Sequence, residues 1–155
     1  MIAGVIEGFY GPPWSLDDRQ SCLDDLAAWG GNWYVWAPKS EPRHRELWHE
    51  PFTSEELAGF ASLATRTPVA ISIGLTPGSE ATAAEVITKL RPAVDSGARG
   101  ITLCFDDLPA LGAGKRHREI ANEIAHVFST EVWLVPTHYA GTESSPYLRE
   151  LCDGL

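Results

Sequence analysis

Gly100-Ile-Thr-Leu-Cys-Phe-Asp106-Asp107 is an apolar run of strand length that ends abruptly in two adjacent carboxylates. A short apolar run bounded by polar residues fits a strand covered on both faces, as in a parallel sheet. The two aspartates at its end repel each other. One of them is expected to hold a proton more readily than an isolated carboxyl, which is what a general acid needs. The competing reading makes Asp107 a cap for the next helix or turn, with Asp106 solvated beside it, because Asp is common at caps.

Working outward, short apolar strands alternate with helical segments along the whole chain. Strands are predicted over residues 3–6, 33–37, 69–75, 100–105 and 132–135. Ser15 reads as an N-cap with Asp18 at the capping-box position. The helix it opens carries Leu16, Cys22, Leu23, Leu26, Ala27 and Trp29 at helical spacing and stops at Gly30-Gly31. A long connection over residues 38–52 leads to a second helix start at Thr53-Ser-Glu-Glu56. Further helices are predicted over 82–95, with Pro92 near the end, over 116–128, and from 146 to 151.

Five βα units without a hairpin signal imply parallel strands with helices outside. Two architectures satisfy that pattern, an open doubly wound sheet and a (β/α)8 barrel. No G-x-G-x-x-G follows the first strand, which removes support for a dinucleotide site. Polar and aromatic residues instead cluster after each strand: residues 7–10, Lys39, residues 76–78, Asp106-Asp107 and His138-Tyr139. In a barrel these ends converge on one face, where catalysis occurs. The expected fold class is α/β of (β/α)8 TIM-barrel type, with about five βα units present.

The chain has 155 residues, 44% hydrophobic and 21% charged, enough for one domain with a real core. Six Trp residues hint at a sugar-binding cleft but serve equally well in a core. The formal net charge of −9 argues against nucleic acid and anionic membranes as partners. Cys22, Cys104 and Cys152 suggest neither a disulfide framework nor a zinc site, and no metal or other cofactor is expected. The N-terminus shows no signal-peptide pattern, and no segment approaches the roughly 20 apolar residues that span a bilayer. A cytoplasmic, reducing location is the expectation from these features.

Five motifs, in order, carry a family resemblance. They are Gly4-Val-Ile-Glu-Gly-Phe-Tyr-Gly-Pro-Pro-Trp-Ser15, Asn32-Trp-Tyr-Val-Trp-Ala-Pro-Lys39, the connection from His44-Arg45 through Trp48-His-Glu-Pro-Phe52, Phe105-Asp106-Asp107 and Pro136-Thr-His-Tyr139. Together they resemble glycoside hydrolase family 84, which holds β-N-acetylglucosaminidases including the O-GlcNAcases. The resemblance implies substrate-assisted retaining hydrolysis, in which the 2-acetamido oxygen of the substrate is the nucleophile and an oxazoline is the intermediate. Asp106 then polarises the acetamido N–H, and Asp107 protonates the leaving oxygen and later activates water. Gly8 brings its backbone close to the sugar, Lys39 bonds its hydroxyls, and Tyr10 and Tyr139 line the acetamide pocket. His44, Arg45, Trp48 and His49 are expected to pin the long connection rather than to touch substrate. The implied partner is an N-acetylglucosamine-containing glycan or glycoprotein.

Two departures are local. Ser40 stands where the family has an acid, and Leu75-Thr76 replaces Ile-Ser before Pro77-Gly78. The third is length, since a (β/α)8 barrel typically takes about 250 residues. The resemblance places an aspartate, asparagines and an aromatic wall for the sugar on later strands. Residues 1–155 are therefore expected to be a single catalytic-type domain truncated on its C-terminal side. The alternative function is an inactive sugar-binding or structural remnant. A third reading, hard-metal ligation by Asp106 and Asp107 for phosphate chemistry, lacks a phosphate loop and further clustered acids.

An incomplete parallel sheet leaves unpaired strand edges and an uncovered apolar face. The isolated chain is expected to self-associate or to be completed by a further part of the barrel. Light scattering at increasing concentration should show a rising mean mass; a monodisperse, stable monomer refutes this.

Overall fold

The computed structural model describes residues 1–140 and 144–154. The strands are β1 (Gly4–Glu7), β2 (Trp33–Trp36), β3 (Ala70–Leu75), β4 (Gly100–Cys104) and β5 (Glu131–Val135). The helices are α1 (Leu16–Ala28), α2 (Ser54–Arg66), α3 (Ala83–Asp95), α4 (Gly114–Phe128) and α5 (Pro146–Cys152), with a 3-10 turn at Pro42–His44 in the long second connection. All neighbouring strands are parallel, and the sheet order is β1-β2-β3-β4-β5. Each crossover steps one strand in the same direction. A doubly wound sheet reverses direction at a switch point, whereas a barrel does not. The strand order therefore decides for barrel-type winding.

Capping chemistry fixes three helix starts. Ser15 and Asp18, Thr53 and Glu56, and Thr82 and Glu85 each form a complete capping box. The start of α4 differs from expectation by two residues. Ala113 offers no side-chain cap, so no sequence signal marks the helix there. Gly114 begins it because α5 presses close: a Cβ at that position would lie 2.4 Å from the Tyr147 carbonyl oxygen.

The pleat separates two layers. Tyr34, Trp36, Ile71, Ile73, Leu75, Ile101, Leu103 and Phe105 face the helices and join Leu23, Leu63, Leu90 and Ile124 in the main core. Trp33, Val35, Ala37, Ala70 and Cys104 form a second cluster on the opposite, inner face, with Trp133 and Val135 against it. The inner layer is less complete. Ile6, in register with inward-facing Val35, is 55% exposed. β1 and β5 each pair on one side only among the described residues.

Gly100 is required by the inner layer. A Cβ there would lie 2.5 Å from Cζ2 of Trp33, and that indole stacks on Trp133 with ring centroids 5.0 Å apart. Gly100→Ala should destabilise the fold by about 1–3 kcal/mol through overpacking. Urea denaturation checks this, and an unchanged midpoint would show that the Trp33–Trp133 stack can yield.

Candidate active site

Alternation along β4 aims the carboxylates. Phe105 faces outward and stacks on His117, with ring centroids 3.8 Å apart and planes 5° apart. Its N–H donates to the Val135 carbonyl at 2.8 Å, and its own carbonyl accepts from Thr137 Oγ1 at 2.7 Å. With Phe105 held on both backbone groups and its ring, the next residue turns to the inner side at the C-terminal mouth of the strands. Asp106 there pairs through Oδ2 with the ammonium of Lys39, and its Oδ1 is buried without a partner among the described residues. Asp107 has φ +64°, in the left-handed region where non-glycine residues are uncommon. Such conformations persist where the surroundings over-determine them, often at functional sites.

Lys39 is placed by the first two loops together. Its N–H donates to the Phe9 carbonyl at 3.0 Å, and the Gly11 N–H donates to Ser40 Oγ at 3.1 Å. Ser40, the departure noted in the sequence, thus ties the β1 loop to the β2 loop. Gly8 is exposed at the same mouth, next to Phe9, and a Cβ there would lie 3.2 Å from Ile6 Cγ2. Tyr139 is exposed and lines an open cavity of about 300 Å³ with Asp107, Thr137 and His138.

Arg45 reaches the carboxylates from the long connection. It does not merely pin the connection. Its Nη2 meets Asp107 Oδ2 at 3.2 Å, and its Nη1 donates to the Tyr10 hydroxyl at 2.9 Å. Pinning falls to its neighbours. His44 is fully buried with its ring edge-on to Trp36, and its carbonyl accepts from the Thr76 N–H at 2.9 Å. Lys89 donates to the Glu50 carbonyl with its ammonium 3.5 Å from the Phe52 ring centroid. Burial lowers the Lys89 pKa to about 8.

Glu7 also departs from the sequence grouping. It faces the helices, fully buried, where Arg19 grips it at 2.8 and 2.9 Å, the Tyr34 hydroxyl donates to it, and the Trp14 N–H donates at 3.3 Å. It is a structural anchor that fastens β1 to α1. The structure thus brings Tyr10, Lys39, Asp106 and Asp107 together with Arg45, and sets Tyr139 beside Asp107. Among the described residues, no group of three or more His, Cys, Asp or Glu gathers as metal ligands would.

A family model described as beta-N-acetylglucosaminidase matches residues 3–155. The chain belongs to that family. It is 33% identical to the Protein O-GlcNAcase of Rattus norvegicus and equally to that of Mus musculus, over 99% of this chain and 20% of each relative. Its fold matches a mutant of the O-GlcNAc hydrolase of Thermobaculum terrenum with a TM-score of 0.90 and 25% identity, over 99% of this chain and 39% of that one. The chain spans about a fifth of the length of the rodent relatives. No helix among the described residues is long and apolar enough to cross a membrane.

Two buried histidines brace the site and make the fold acid-sensitive. Burial is the main cause that pushes His44 and His117 down from 6.5 to about 4. In the unfolded chain both take up protons near 6.5. Between pH 6.5 and 4 the unfolded state therefore binds more protons than the folded one, and stability falls as pH falls. The loss approaches about 3 kcal/mol per histidine by pH 4. Denaturation midpoints at pH 7, 5.5 and 4.5 should decline steadily, and equal midpoints at pH 7 and 5 would contradict buried neutral imidazoles.

Proposed function

We infer that this chain carries the catalytic-type part of a β-N-acetylglucosaminidase that removes terminal β-linked N-acetylglucosamine by substrate-assisted retaining hydrolysis. The observation that carries the reading is the placement of Asp106 and Asp107 side by side at the strand mouth. An ordinary retaining glycosidase sets its two carboxyl groups about 5 Å apart across the bond, one of them as nucleophile. Adjacent residues at one strand end suit a different division of labour, with the nucleophile supplied by the substrate. Asp106 has one oxygen on Lys39 and one buried oxygen without a donor. A buried acceptor without a partner is costly, and an acetamido N–H supplies the donor it lacks.

On this reading the acetamido oxygen bonds to the anomeric carbon as the bond to the leaving oxygen breaks. Asp107 gives its proton to that oxygen, while Asp106 holds the acetamido N–H. A water then adds at the anomeric carbon, Asp107 recovers a proton from it, and the oxazoline opens. Lys39 contacts sugar hydroxyls, Gly8 allows close approach of the β1 loop, and Tyr10 and Tyr139 line the pocket. As the neutral acid, Asp107 no longer offers Arg45 a charged partner.

A second reading, an inactive sugar-binding remnant, draws on the exposed inner face at Ile6. Hydrolysis of aryl N-acetyl-β-glucosaminides separates the two. Asp107→Ala should cost about 10²–10⁴-fold with a poor leaving group and much less with a dinitrophenyl one, because only the former needs a general acid. A folded wild-type chain that binds N-acetylglucosamine without hydrolysing either substrate supports the remnant reading.

A further inference from the structure

The bridge from Tyr10 through Arg45 to Asp107 has no role in the reaction as described. It lies on the rim of the mouth: Arg45 and Asp107 side chains are 25% and 50% exposed, and Tyr10 is 69% exposed. The Lys39–Asp106 pair lies deeper, with side chains 12% and 14% exposed. The outer cation therefore holds the carboxylate that must face the leaving group. In the acid role Asp107 is a neutral carboxyl, so the Arg45 guanidinium, which meets only its Oδ2, loses a charged partner and is open to another when the substrate enters. The chemical group that arrives at that place is whatever the sugar is attached to.

We propose that Arg45 recognises the leaving-group side of the substrate by accepting a carboxylate from it, so that this site favours N-acetylglucosaminyl peptides with an acidic side chain beside the sugar-bearing residue. This rests on the glycosidase reading above. Exchanging one carboxylate for another keeps the guanidinium paired, whereas withdrawing Asp107 without replacement strands a partly buried charge. The planar fork of arginine matches a carboxylate in two-point contact, which an ammonium does not offer. Tyr10 keeps Nη1 in place during the exchange, so Nη2 stays at the rim. Lys39 does not compete for the incoming acid because it is held inside by Asp106. The net charge of −9 repels acidic peptides in general. Any preference for them must therefore arise locally, at this cation.

Two non-hydrolysable pentapeptides carrying sulfur-linked N-acetylglucosamine, one flanked by glutamates and one by glutamines, provide the test by calorimetric titration at low salt. The wild-type chain should bind the acidic peptide about three- to tenfold more tightly, with the ratio shrinking as salt rises. Arg45→Met should bring the ratio to one or below, Arg45→Lys should keep part of it, and the distant Lys115→Met should leave it unchanged. Asp107→Asn offers a variant that keeps the fold, since Asn tolerates the left-handed backbone at that position. Removing the competing carboxylate should raise the ratio further. Equal affinities in the wild type, a ratio that survives Arg45→Met, or a fall in Asp107→Asn overturns the proposal and leaves the glycosidase reading standing. If neither glycopeptide binds better than its sugar-free counterpart, the glycosidase reading falls and the proposal falls with it.

Discussion

The stacking of Phe105 on His117 is the constraint on which the site depends. It fixes the outward phase of β4 at the last residue before the carboxylates, and the pleat then sends Asp106 to the inner side. A one-residue slip would turn Asp106 into the helix layer and Phe105 into the mouth. The stack is itself held from behind. His117 Nδ1 and the Tyr147 hydroxyl are 2.9 Å apart, and that hydroxyl also accepts from the Thr137 N–H at 3.1 Å. The end of β4, the start of the loop after β5 and helices α4 and α5 are therefore one unit, and the carboxylate pair is supported from behind by the buried Phe105, His117 and Tyr147.

The second constraint is electrostatic. Two neighbouring carboxylates at a partly buried mouth repel, and each is met by its own cation, Lys39 on Asp106 and Arg45 on Asp107. Both cations come from the connection after β2. That connection is held by a buried histidine, the Glu50 carbonyl on Lys89 and the Phe52 ring under the same ammonium. A buried lysine there gives up favourable hydration, in keeping with its lowered pKa. The connection is thus anchored in the core on one side and carries the two cations of the mouth on the other.

These relations explain which features the sequence reveals. Elements set by local chemistry are readable: three capping boxes mark α1, α2 and α3, and continuous apolar runs mark β3 and β4. The parallel order follows from the alternation of elements. The start of α4 is hidden because a tertiary contact of Gly114 with α5, not a cap, determines it. Glu7 reads as a mouth residue because it stands at a strand end among polar neighbours. Only the register of β1 against β2, which puts Glu7 beside Trp36 on the helix side, shows it to be a core anchor. Arg45 stands in a motif, but nothing in the sequence pairs it with the mouth, since its partners lie 35 and 62 residues away on other loops.

The layer structure also separates two kinds of work within the barrel. β4 and the β2 connection supply both carboxylates and both cations, and these four groups sit against a helix-facing core with residues such as Ile73, Leu75, Ile101 and Leu103 fully buried. The inner face is finished unevenly: Val35 is buried, while its neighbour in register, Ile6, is open to solvent. Groups that transfer protons need to be held to within a fraction of an ångström, and a rigid sheet with a complete outer core provides that. Walls that grip a sugar tolerate more adjustment and gain affinity from enclosure instead. On the proposed function, proton-transfer geometry draws on these five units, because Asp106 meets Lys39 and Asp107 meets Arg45 among the described residues. It follows that a defect in the Phe105–His117 stack should impair catalysis without touching the sugar, whereas loss of an enclosing wall should weaken binding while leaving the paired carboxylates where they are.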